Sequence, residues 1–228
     1  VGCSVLLSDT DVVYLQNPFD YLYRDSDIEG MSDGWDNATA HGFFQPTDDP
    51  LLGQANPART GHTFRIACLN SGLWYVAATH ASARLMQIME LRMATEDVWD
   101  QTGYNQELFF PSRDDHMAAG CTMRVMDPLC FVNSKVMFRR IRIAPFFGTH
   151  KPVAIHVNYH SDKPYKMKLL AQYYLEKSTD SLECRGDGCN FGTESVDTLE
   201  AQHYHQVNDG FVSSRHYGTT RTATLKTR

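Results

Sequence analysis

Apolar residues in this chain fall into short runs without alternation, separated by clusters of Gly, Pro, Asn, Asp and Thr. Runs of four to eight apolar residues between turn formers are the mark of strands buried in an α/β sheet. Residues 3–7 form the first, predicted to be covered on both faces, and it stops at Ser8-Asp9-Thr10-Asp11. Residues 12–15 resume an extended pattern, Asn17-Pro18 breaks it, and residues 21–24 are expected to make one helical turn. Residues 28–32 read as the next strand. From 33 to 62 no periodicity is visible, and a stretch of that length inside a domain is the usual form of a functional loop. Strands are then predicted at 64–68 and 73–77, with Asn70-Ser71-Gly72 as the turn between them.

Helical periodicity first appears at residues 80–94. There Leu85, Met86, Met89 and Met93 form a stripe that reads as core filler rather than as a cofactor box. Residues 100–109 form a second predicted helix, capped by Asp100 and stopped by Pro111. Strands follow at 123–126, 129–132 and 153–157, the last interrupted by His156. A helix at 166–177 presents Met167, Leu170, Ala171 and Tyr174 on one face. The pattern fades beyond residue 183. The expected organisation is one α/β domain over 1–183 and a poorly ordered tail over 184–228.

Composition changes this picture little. Hydrophobic residues make up 42% of 228 and charged residues 21%, ordinary for a globular domain. A net charge of −6 and the lack of a basic stripe argue against nucleic-acid binding. The small basic cluster at Arg139, Arg140 and Arg142 reads as a solvated face. Six cysteines include no C-x-x-C pair, which argues against a zinc site of that type; Cys184 and Cys189 could close a small loop. Asn37-Ala38-Thr39 is a glycosylation sequon. No apolar run approaches the ~20 residues that cross a bilayer. With no initiator Met and a strand at its start, the chain is expected to be a piece of a longer protein, with any anchor in the remainder.

The chemistry concentrates in two places. Asp9-Thr10-Asp11 follows a buried strand, and two carboxylates ~4 Å apart with little water repel unless a proton or a cation intervenes. A divalent cation resolves the repulsion and can also hold a diphosphate. The second place is Val153-Ala154-Ile155-His156-Val157-Asn158-Tyr159-His160, followed by Asp162, Lys163 and Lys166. A lone His in an apolar strand is usually a hydrogen-bonded core residue. A neutral imidazole is also a good third ligand for Mn²⁺ beside two carboxylates, and a nearby lysine suits a departing diphosphate. Asp100, Asn105 and Glu107 add polar groups to an otherwise apolar region.

Taken in order, these segments resemble the nucleotide-diphospho-sugar transferases of plants and algae, glycosyltransferase family 77. The resemblance is carried by residues 6–19, 28–33, 69–74, 100–111, 125–134 and 153–167, and it is nearest to the extensin arabinosyltransferases. It implies a Rossmann-like GT-A fold and a metal-dependent, configuration-retaining transfer from a UDP-sugar, with arabinofuranose the expected sugar. The acceptor implied is a glycan on a hydroxyproline-rich glycoprotein, and the implied location is the lumenal side of the Golgi membrane. Carried over residue by residue, Asp11 binds Mn²⁺ or Mg²⁺ directly, Asp9 contacts the metal or the donor ribose, and His156 is the third ligand. Asn70, Ser71 and Gly72 line the donor sugar, Asp100 and Gln101 face sugar and acceptor as the catalytic pair, and Lys163 meets the diphosphate. The βαβ units that precede the D-x-D strand in that fold are absent from this chain.

Two other readings fit parts of the sequence. One is a non-catalytic transferase-like module that binds glycans or partners. The other is a haloacid-dehalogenase-type phosphatase, which also places D-x-D after an apolar strand but needs a later acidic pair that is not found here.

Overall fold

The computed structural model describes residues 2–35, 39–40, 43–46, 63–66, 68–109, 112–113 and 116–182. The sequon at Asn37, Pro111, the Cys184–Cys189 segment and the proposed tail lie outside the described residues.

Two sheets form the frame. In the first, β1 (Val5–Ser8), β6 (Leu69–Val76), β3 (Ile28–Ser32) and β9 (Met123–Val125) lie in that spatial order. β6 runs antiparallel to both β1 and β3, and β9 runs parallel to β3. In the second, β10 (Phe131–Asn133), β11 (Ala154–His156) and β2 (Val12–Tyr14) are neighbours, parallel then antiparallel. Two further antiparallel pairs, β4 (Phe43–Pro46) with β5 (Thr63–Ile66) and β7 (Ser112–Arg113) with β8 (His116–Met117), complete the strands among the described residues.

Side-chain alternation explains the layering. Leu73 and Tyr75 of β6 join Met31, Phe131, Val153, Ala154 and Val12 in an apolar cluster shared by the two sheets. Trp74 and Val76 point the other way, onto Leu85 and Met89 of α1 (His80–Thr95) and Tyr104 of α2 (Asp100–Phe109). On the second sheet Val132 and Ile155 face α3 (Ser134–Arg139) and α4 (Lys163–Tyr174) through Val136, Phe138, Leu169 and Leu170. The result is a four-layer α/β arrangement, as the apolar runs predict.

Several expectations need correction. β1 is a sheet edge whose Val5 and Leu7 are 46% and 37% exposed, because β6 is its one partner and a single face, that of Leu6, packs inward. Asn70-Ser71-Gly72 is no turn: it lies within the eight-residue β6, and β3 accommodates it by a register shift between Gly30 and Ser32. The helical turn lies at Pro18–Asp20, where Asn17 caps and Pro18 supplies its fixed φ, rather than at 21–24. Met93 is exposed, so the core stripe of α1 is Leu85 and Met89 with Met86 at its margin. α4 begins three residues early, at Lys163, with Pro164 in its first turn.

Candidate metal centre and donor cavity

The Asp9-Thr10-Asp11 segment is a turn that passes from β1 of the first sheet to β2 of the second. Each half is pinned to its own sheet. The Asp9 N–H donates to the Gly72 carbonyl of β6 at 2.8 Å, and the Asp11 carbonyl accepts the Val157 N–H at 2.9 Å. Crossing between sheets, rather than strand alternation, therefore brings the two carboxylates to one place. His156 closes the group from β11, where it is paired with Val12 and shares the inward face of Ala154 two residues before.

The distances are short. His156 Nε2 lies 3.1 Å from Asp11 Oδ1 and 3.6 Å from Asp9 Oδ2. One ligand atom from each residue lies within 4.8 Å of the other two. Bonds of about 2.1 Å to a shared ion put neighbouring donor atoms roughly 3 Å apart, so His156 and Asp11 stand at ligand spacing and Asp9, whose side chain is exposed, would close the remaining distance by a side-chain turn. Two carboxylate oxygens and one imidazole form a mixed N/O set of the kind that binds divalent cations.

Electrostatics points the same way. Burial pushes the His156 imidazole below its usual value, against the pull of Asp11 and Asp9, so it is neutral and free to ligate at pH 7. Burial alone would raise Asp11, but the Lys163 ammonium bonded to it outweighs burial and holds the carboxyl below the usual range. Lys163 Nζ sits 2.7 Å from Asp11 Oδ2, a cation already at the acidic pair. Gly72 is required here for space: a Cβ at that position would lie 2.3 Å from His156 Cε1 and 2.5 Å from Asp9 Oδ2.

One cavity of about 270 Å³ gathers Asp9, Asn70, Ser71, Gly72, Asp100, Gln101, His156 and Lys163. Asp11 adjoins it through His156 and Lys163. The residues to which the resemblance gives metal, donor or catalytic roles thus lie together. A larger groove of about 580 Å³ lies between β1 and the start of α1, but Val5, Leu7, Ala83 and Met86 make it apolar and it holds no acid–base group of the site. Of the polar groups noted around α2, Glu107 is a buried partner of Arg92 at 2.8 Å. Asn105 grips the Leu69 N–H and C=O at 2.8 and 2.7 Å. His160 packs edge-on against Phe138, and Asp162 is the ion-pair partner of Lys166.

A family model described as nucleotide-diphospho-sugar transferase matches residues 1–170. The chain belongs to that family. It is 43% identical over 188 residues, 82% of its length, to arabinosyltransferase RRA2 of Arabidopsis thaliana, and 43% identical over 188 residues to arabinosyltransferase RRA1 of the same plant. The matches cover 43% and 46% of those proteins, so this nucleotide-diphospho-sugar transferase chain spans less than half the length of the curated relatives it matches. No solved structure matches it.

Besides Trp99, three cavity residues received no role in the sequence reading: Asp33, Asn158 and Tyr159. Each lies inside a segment that carries the family resemblance. Their hydrogen bonds to residues distant in the chain are what sequence spacing could not show.

Proposed function

We propose that this chain supplies the metal and donor-sugar half of an arabinosyltransferase. Its substrate is a UDP-sugar, UDP-arabinofuranose in particular, and its acceptor is a glycan on a hydroxyproline-rich glycoprotein. The convergence of Asp9, Asp11 and His156 beside Lys163 carries this reading. It is supported by the family membership and by the similarity to the two Arabidopsis arabinosyltransferases. We take residues 1–183 as the transferase portion and 184–228 as a segment beyond it. Work on the secretory side of the Golgi membrane is part of the proposal; among the described residues no helix is long and apolar enough to cross a membrane.

Asp11, Asp9 and His156 would hold Mn²⁺ or Mg²⁺, which when bound supplies Lewis-acid stabilisation of the donor's diphosphate. The rest of the chemistry belongs to the chain. Lys163 brings a positive charge to the place where negative charge grows as the bond from sugar to UDP lengthens. Asp100 and Gln101, at the start of α2, face the sugar and acceptor, and the acceptor hydroxyl attacks from the side the diphosphate leaves and passes its proton to the departing diphosphate, which retains configuration. Gln101 is held in place: its Oε1 accepts the Ser71 N–H at 3.3 Å and its Nε2 donates to Asp33 Oδ2 at 3.0 Å. Family membership leaves the phosphatase reading without support.

The test is sugar transfer from UDP-arabinofuranose by the intact enzyme carrying Asp11→Ala. Loss of at least about 1,000-fold in kcat is expected, and near-normal turnover would remove the assignment.

A further inference from the structure

Asp33 directly follows β3 and lines the cavity, and the metal and donor scheme uses it only to hold Gln101. Its carboxylate is an acceptor with about four lone-pair sites and no donor. Three side-chain amides from three other parts of the chain converge on it. Asn70 Nδ2 of β6 donates to Oδ1 at 3.0 Å, Asn158 Nδ2 donates to the same oxygen at 3.2 Å, and Gln101 Nε2 of α2 donates to Oδ2 at 3.0 Å.

The other end of each amide is equally committed. Asn70 Oδ1 accepts the Gly72 N–H at 2.8 Å, Gln101 Oε1 accepts the Ser71 N–H, and Asn158 Oδ1 accepts the Ser134 N–H at 3.1 Å. An amide set between a carboxylate and a backbone N–H has one orientation, since a flip would face acceptor to acceptor at the carboxylate and donor to donor at the backbone. The backbone on either side of Asp33 is clamped as well. Buried Asn133 donates to the carbonyls of Ser32 and Gly34, at 3.2 and 2.7 Å.

We propose that Asp33 is a positioning residue that sets the orientation of Asn70, Gln101 and Asn158 around the donor sugar. Tyr159 belongs to the same group. Its φ of 65° is a left-handed backbone conformation that a bulky residue rarely adopts. Burial, and then the Asp33 carboxylate, raise its hydroxyl far above the usual range. The proposal rests on the donor-sugar reading of the cavity. Asp33 itself is argued to act through the amides and not on the reacting atoms.

The experiment measures transfer from UDP-arabinofuranose by the intact enzyme carrying Asp33→Asn, with Mn²⁺ affinity determined separately. Two amides face Oδ1 and one faces Oδ2, so the new NH₂ group turns to the single one and meets Gln101 Nε2 donor to donor; kcat should fall by about 100-fold while Mn²⁺ affinity changes by less than about threefold. Adding Gln101→Glu returns an acceptor opposite the new NH₂, and the double variant should be on the order of tenfold more active than Gln101→Glu alone. Unchanged kcat, a loss that tracks Mn²⁺ affinity, or a double variant no better than Gln101→Glu alone would overturn the proposal. Should Asp33→Asn not fold, Gln101→Glu alone reads the same axis. It places two carboxylates together, and its kcat should rise as pH falls and the pair takes up a proton; a pH profile like the wild type's would overturn the assignment. The Asp11→Ala control separates the two levels: if that variant still transfers sugar, the metal reading fails, whereas an inactive Asp11→Ala beside a fully active Asp33→Asn refutes only the role of Asp33.

Discussion

Gly72 shows how much of the site depends on an atom that is missing. Asp9 and His156 reach each other across the space a Cβ would fill, and β6 brings that space to the junction between the sheets. Gly72→Ala must push His156 or Asp9 aside while leaving the strand intact. We expect Mn²⁺ affinity to drop by roughly 10–100-fold with an unchanged circular dichroism spectrum, measured by titration of the metal; wild-type affinity would mean the imidazole is not held where the distances place it. The acid pair and the histidine were both visible in the sequence, since D-x-D after an apolar run and a histidine inside one are local signals. Asp33 was not, because its significance lies in Asn70, Gln101 and Asn158, which come to it from 37, 68 and 125 residues away.

Among the elements, α2 carries Asp100 and Gln101 and is anchored from both sides. Asn105 binds it to Leu69 of β6. Arg92 of α1 reaches Glu107 at 2.8 Å and Gln106 at 2.8 Å, with the Arg92 and Glu107 side chains 5% and 3% exposed. Removing one member of a buried ion pair takes from the other charge a partner that offsets its desolvation. Arg92→Ala should cost about 3–5 kcal/mol in chemical denaturation, whereas replacing both Arg92 and Glu107 by Leu should cost much less. An Arg92→Ala loss under about 1 kcal/mol would show that the pair does not anchor the helix. Periodicity predicted both helices, with α2 bounded as observed and α1 ending one residue later. It failed at β6, where Asn, Ser and Gly read as a turn, because sheet pairing with β1 and β3 overrides their weak strand propensity.

On the scale of the molecule, the D-x-D turn is the seam between two sheets, and the catalytic proposal is a proposal about that seam. Short apolar runs were enough to predict an α/β fold, yet the division into two sheets could not be read from them, since a buried strand looks alike in either. That division makes Asp9 the first sheet's contribution and Asp11 with His156 the second's. The most direct measurement is calorimetry of UDP binding to the intact enzyme, with and without Mn²⁺, for the wild type and for His156→Ala. UDP should bind at least about tenfold more tightly with Mn²⁺ in the wild type, and the variant should lose most of that gain. Equal UDP affinity with and without the metal, or a His156→Ala variant that responds to Mn²⁺ as the wild type does, would contradict the account.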